Sequence, residues 1–240
     1  MDKKINMIKW GMLVLMVGLL SACISIPKPQ PDPTNPIHTV AIMPFGNDSN
    51  SVDAPNQLRD LLAKKLQAKF YRVVPLAEID QTLEDEMGIT LGDQLQDVDI
   101  KELKDKIKAD AYVFGKVTHY DQTTSGVLNT NRVRAELQMV KTDDDTVFWG
   151  STLGIKSESK SGGLFGSMAS LASAVSDNGD ENIQWITIQR KTGGDGSILG
   201  NLVSGLVDKA VSSAMGLTLN EESLAFVNAS TSTLRNGPGY

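Results

Sequence analysis

Apolar positions change their spacing several times along the chain, and each change marks an element. Residues 38–45 (HTVAIMPF) form a short apolar run that ends at a proline and a GNDSN stretch. The run is too short for a helix and its end is punctuated, so it predicts a buried strand. After Pro55, a favourable first helical residue, Leu58, Leu61, Leu62, Leu66 and Phe70 recur at helical spacing, while Arg59, Asp60, Lys64, Lys65 and Lys69 fill the other positions. Residues 71–75 (YRVVP) predict a second strand. Leu76, Ile79, Leu83 and Met87 predict a second helix, stopped at Gly88. Asp99 and Glu102 have the form of a capping box ahead of a third helix with Ile100, Leu103 and Ile107 inward. Residues 111–120 begin apolar on both faces, as a strand covered on both sides does.

From residue 132 the period becomes two. Val133, Ala135, Leu137 and Met139 share one face, and Arg132, Arg134, Glu136 and Gln138 the other. Residues 146–155 are the partner strand across the TDDD turn at 142–145, giving an antiparallel hairpin with one wet face. The expected class is therefore α/β (α+β): a single mixed β-sheet, covered by helices on one side, with small-residue helices towards the C-terminus. Residues 157–197 are rich in Gly and Ser, with a small-residue apolar stretch at 164–175 and a strand-like piece at 184–189. Ile198, Leu202, Leu206 (or Val207) and Val211 then follow helical spacing, and residues 234–240 (LRNGPGY) are turn chemistry. The stretches 164–175 and 198–215 hold more apolar surface than the sheet needs, which makes Leu171 and Leu206 candidate partner contacts. Covering the second face of the sheet is the other role open to them.

The N-terminus follows a different logic. Lys3, Lys4 and Lys9 precede an uncharged run from Trp10 to Leu20, and Ser21-Ala22-Cys23 follows: the positive region, apolar core and small-residue site of a secretory signal. Leu20, Ser21, Ala22 and Cys23 look like a bacterial lipobox, with Cys23 carrying diacylglycerol and an N-acyl chain after cleavage. A membrane-spanning helix would need ~20 predominantly apolar residues, and the dense apolar core is about half that. Prolines at 27, 29, 31, 33 and 36 hold the next stretch near polyproline II, a spacer of ~40 Å at most. The organisation expected is a signal peptide at 1–22, a lipidated tether at 23–36, an α/β domain at 37–160, and a Gly/Ser/Ala-rich region at 161–240 packed on or beside it.

Composition narrows the chemistry. Hydrophobic residues make up 40% and charged residues 22% of the 240, ordinary for a globular chain. Removing Asp2 and the three lysines of the signal leaves 20 basic against 28 acidic residues, a balance unsuited to nucleic acid. Cys23 is the single cysteine, so no disulfide framework is possible. His38 and His119 are the only histidines, and neither has a recognisable partner for nucleophilic catalysis. Asp143, Asp144 and Asp145 read as a solvated turn, because an EF-hand needs alternating ligands, a glycine and a late glutamate. The Gly-rich TGGDG at 192–196 lacks the Lys-Ser/Thr of a phosphate loop. No metal, cofactor or small-molecule substrate is expected.

The order VAIMPFGN (40–47), amphipathic helix, YRVVPL (71–76), second helix and ADAYVFGKV (109–117) resembles the periplasmic domain shared by CsgG and the N-terminal domain of TolB. The FWG strand at 148–150, the small-residue C-terminal stretch and the Gly-Pro ending resemble a family of bacterial outer-membrane lipoproteins of unknown function. The resemblance implies a fold and an outer-membrane location, with the domain in the periplasm, and no catalytic residue. The function expected is that of a non-enzymatic, lipid-anchored component of envelope assembly, export or docking, acting through a protein partner or self-association. Regulation of a peptidoglycan synthase is the alternative, with a pore subunit or an envelope hydrolase behind it. Pore formation of the CsgG kind would need long amphipathic hairpins, whereas the 132–155 hairpin belongs in the core sheet.

Overall fold

The computed structural model describes residues 29–125, 128–160, 184–190 and 219–239. Eight strands form one mixed sheet: β1 (Thr39–Ile42), β2 (Gly46–Asn47), β3 (Arg72–Val73), β4 (Ala111–Ser125), β5 (Leu128–Lys141), β6 (Val147–Ser151), β7 (Gly154–Lys160) and β8 (Trp185–Arg190). Their spatial order is β3-β1-β4-β5-β7-β8, with β2 beside β4 and β6 beside β5. Pairing is parallel from β3 to β4 and between β7 and β8, and antiparallel on both sides of β5. The helices are α1 (Ala54–Ala68), α2 (Leu76–Met87), α3 (Ile100–Lys106) and α4 (Asn220–Ser230).

Alternation along β1 and β4 divides the core into two layers. Val40, Ile42, Ala111, Val113 and Val117 pack with Leu58, Leu62 and Leu66 of α1 and Phe226 of α4. Ala41, Met43 and Tyr112 pack on the opposite face with Ile79 and Leu83 of α2 and Leu103 of α3. The expectation of helices on one side is thus corrected. One-sided cover holds for β5, whose Val133, Ala135, Leu137 and Met139 are buried in the first layer, while β1 and the start of β4 are apolar on both faces and are covered on both. The predicted caps hold in part: Asp99 Oδ1 accepts from Lys101 N at 2.9 Å, and Gly88 ends α2 with φ 67°.

Other differences have local causes. The strands expected at 111–120 and 132–141 are both longer, because β4 and β5 pair with each other as a hairpin through Ser125 and Leu128, beyond the core. The partner predicted at 146–155 breaks after Ser151, and β6 and β7 pair with different halves of β5. The strand-like piece at 184–189 is β8. Phe70, read as the end of the α1 stripe, lies past the helix at φ 69°, where Tyr71 N bonds back to Leu66 O at 3.1 Å. Helix α4 was not foreseen.

Residues 30–36 do not act as a spacer. Asp32 N bonds to Gly237 O at 2.8 Å, Arg235 holds the Asp32 carboxylate at 2.7 Å, and Asn236 Nδ2 reaches Gln30 O at 2.7 Å. Asn35 is buried and donates to Tyr71 Oη and Asn236 O, both at 2.9 Å. Tyr71 Oη donates in turn to Arg235 O at 2.7 Å, and burial pushes its phenol up to about 12. Gly237 lies so close to Phe70 that a Cβ would stand 2.5 Å from the Phe70 oxygen. The two terminal segments are clasped together against the turn between α1 and β3.

Candidate functional site: a groove along β6

Among the described residues, β6 pairs with β5 alone. Its other edge opens into a groove of about 1010 Å³. One wall is apolar, lined by Leu95, Val98, Phe114, Val140 and Val147, whereas Ile186, also in the lining, packs with the first core layer on the side of α4. The opposite wall is the end of α4 and the turn after it, with Ala229, Ser230 and Thr233. Val147 is 56% exposed, unusual for a valine in a strand. Ser230 Oγ is buried and has no hydrogen-bond partner among the described residues, an arrangement that costs about 1–3 kcal/mol unless a further group supplies the bond. Trp149 Nε1 donates to Thr233 Oγ1 at 3.1 Å, which ties β6 to this second wall.

The groove is shaped by close backbone approach. Phe45 lies on Gly115, where a Cβ would come within 2.6 Å of its ring, and Gly92 abuts the Phe45 carbonyl, which a Cβ would meet at 2.2–2.4 Å. Charge is confined to one end. Lys116 and Glu136 are cross-strand neighbours there, Lys116 Nζ reaching Asp48 at 2.9 Å and Glu136 accepting from Arg134 at 3.2 Å. The lining among the described residues contains neither histidine nor cysteine. The arrangement can bind an extended chain: an open strand edge supplies backbone groups, and flanking apolar pockets accept alternate side chains.

The family profile described as "Putative lipoprotein GNA1162-like" matches residues 33–192, about two thirds of the chain. The chain belongs to the GNA1162-like family. Lipoprotein GNA1162 from Neisseria meningitidis is similar at 22% identity and TM-score 0.47, covering 57% of this chain and 94% of that one. The PelC dodecamer from Paraburkholderia phytofirmans is similar at 15% and 0.35, covering 59% and 86%. The LpoB C-terminal domain from Salmonella enterica is similar at 12% and 0.34, covering 52% and 87%. No curated protein matches the chain. The family is of the lipoprotein kind that the sequence resembled, and the likeness to CsgG and TolB stands on the sequence motifs alone.

Cys23, Leu20, Ser21 and Ala22 lie outside the described residues, as do Leu171, Leu206 and the Gly-rich 192–196. The other sequence candidates are not brought to the groove. His119 packs edge-on against Trp185 at 5.4 Å, with Nδ1 3.2 Å from Thr118 Oγ1. Asp144 is held by Lys141 and Thr146, whose hydrogen bonds keep its carboxyl well below the usual range. A buried polar cluster under α4 was missed. Glu222, 1% exposed, accepts from Asn131 Nδ2 at 2.8 Å and from the Ser157 hydroxyl. Tyr120 Oη donates to Gln57 at 2.6 Å beside Ser223. These bonds fix α4, and so the second wall of the groove.

Proposed function

We propose that the chain is a lipid-anchored protein of the outer membrane, its folded part in the periplasm, that docks a partner polypeptide along the open edge of β6 and catalyses nothing. The groove carries this reading: a strand edge without a described neighbour, an apolar wall, and a buried Ser230 hydroxyl in need of a bond. A partner segment added to β6 would pair with its backbone and seat alternate apolar side chains against Val98, Phe114 and Val147. Diacylglycerol and an N-acyl chain on Cys23 are the only covalent groups required.

A photo-crosslinking residue at Gln138, in the groove, and another at Thr124, outside it, test this in intact cells. The expected result is one discrete adduct from Gln138 only, lost when Val147→Glu charges the apolar wall, with thermal stability unchanged because Val147 is already exposed. Identical adducts from both positions, or an adduct that survives Val147→Glu, would sink the proposal.

A further inference from the structure

We infer that the clasp end of the domain, where the last turn of α1 meets β3, lies against the lipid headgroups of the membrane that holds Cys23; the inference rests on the lipid-anchor reading above. Its first support is the length of chain between the anchor and the fold. The chain is fixed from Gln30 onward by the bonds to Asn236, Gly237 and Arg235. Seven residue steps separate Gln30 from Cys23, and no backbone conformation extends them beyond ~25 Å.

The sheet is longer than that. The clasp sits beside Arg72, which pairs with Thr39 near the start of β4, whereas Thr124 lies thirteen residues along β4 from Ala111. At ~3.3 Å per residue this separation is about 43 Å. The hairpin tip therefore cannot exchange places with the clasp at the bilayer surface while the leash stays attached.

Charge gives the second support. Lys65, Lys69, Arg72 and Arg235 gather at the clasp in a chain whose net charge is -6. Burial lowers the pKa of both Lys65 and Lys69, the nearby Lys65 charge lowers that of Lys69 further, and Asp32 is already occupied by Arg235. Glu78 lies beside Arg72 but shares that hollow with Lys106 and Lys108. The tip of the β4–β5 hairpin itself carries Gln122, Thr123, Thr124 and Asn129, uncharged residues, and beside it Lys160 of β7 stands opposite Leu128 and Arg190 of β8 opposite Ser159. The acidic turn of Asp143 and Asp145 is at the clasp end of the sheet but follows β5, three strand spacings or ~14 Å from β3. The domain is therefore tilted with its α1 and β3 edge down. Anionic headgroups favour that pose, since each basic residue near such a surface gains about fivefold in association.

The test uses full-length lipidated protein in vesicles of phosphatidylethanolamine and phosphatidylglycerol containing a spin-labelled headgroup lipid. With Cys23 acylated, Gln67→Cys and Thr124→Cys, both at exposed positions, each supply one thiol for a fluorophore. Quenching several-fold stronger at position 67 is expected, narrowing when Lys65 and Lys69 become Glu. Equal quenching at the two positions, or stronger quenching at 124, overturns the inference. Mass spectrometry of the peptide beginning at Cys23 and vesicle flotation are recorded alongside. An unmodified Cys23 or failure to float overturns the anchor reading, whereas an acylated, floating protein with equal quenching overturns the orientation alone.

Discussion

Arg59 offers the most direct test of how the sheet edge is completed. Along β1, His38 O accepts from Arg72 N at 2.8 Å and Val40 O from Val74 N at 3.0 Å. The next carbonyl on that side belongs to Ile42, but Pro75 turns the chain into α2 and no further strand donor follows. The guanidinium of Arg59 takes the vacant place, with Nε and Nη2 donating to Ile42 O at 3.0 and 2.7 Å. Nη1 meanwhile reaches both oxygens of Asp80, at 2.7 and 2.9 Å. Burial pushes the guanidinium pKa down, and the Asp80 charge opposes that shift.

Arg59→Met keeps the aliphatic bulk and removes every donor. A charged donor to a buried carbonyl contributes about 1.5–3 kcal/mol, and the abandoned carbonyl adds to the loss. The side chain of Arg59 is 4% exposed but that of Asp80 is 50% exposed, so their ion pair is discounted to under ~1 kcal/mol. Relief from burying a charge offsets part of the loss. The net expectation for Arg59→Met is about 2–4 kcal/mol, against less than ~1 kcal/mol for Asp80→Asn. Urea unfolding at neutral pH measures both as midpoint shifts at constant slope. Equal losses would mean that the ion pair, not the carbonyl, matters; a loss below ~0.5 kcal/mol in Arg59→Met would refute the reasoning altogether.

Three further outcomes are expected. Leu62→Ala, at a fully packed position of α1, should cost roughly 2–5 kcal/mol in the same assay. Burial raises the phenols of Tyr71 and Tyr112 from 10 to about 12, so the stability they contribute is complete below pH 10 and is lost as pH rises towards 12. Melting temperature against pH should fall in that window, less steeply in Tyr71→Phe. Cys23→Ala should abolish incorporation of a labelled fatty acid, and equal label on wild type and variant would remove the lipid anchor from the account.

The parts of this fold that sequence reveals are those set by local period. Val40, Ile42 and Val113 announce strands, and Leu58, Leu62 and Leu66 announce α1, because each needs only its neighbours in the chain to define a face. Arg59 escapes that logic: its burial depends on β3 being two residues long, which leaves Ile42 O unpaired. Helix α4 escapes it too. Glu222, Ser223 and Ser230 are buried beside Ala225, Phe226 and Val227, so the apolar stripe is blurred by polar residues, and the partners of Glu222 and Ser223 lie on distant strands. The tether was misjudged for the same reason. Pro31, Pro33 and Pro36 read as a spacer, and nothing local indicates that Asn35 will be buried between Tyr71 and Asn236. The groove follows from these unseen contacts, since α4 builds one wall and the break after Ser151 frees the strand edge.

The clasp also alters where a partner can be. With residues 30–36 taken into the fold, the proposed anchor at Cys23 would have a leash of ~25 Å in place of ~40 Å, which weighs against a partner reached across the envelope and thus against regulation of a distant synthase. The groove adds a second constraint. Val147 stands opposite Val140, which stands opposite Tyr112, the second residue of β4; the groove therefore opens at the clasp end of the sheet, four strand spacings or ~19 Å from β3. If the α1 and β3 edge lies on headgroups, a segment adding to β6 runs within about 20 Å of the bilayer surface. A partner caught at Gln138 should accordingly be a protein that itself resides at that membrane, and should stay with the membrane fraction in cells where the lipoprotein is absent.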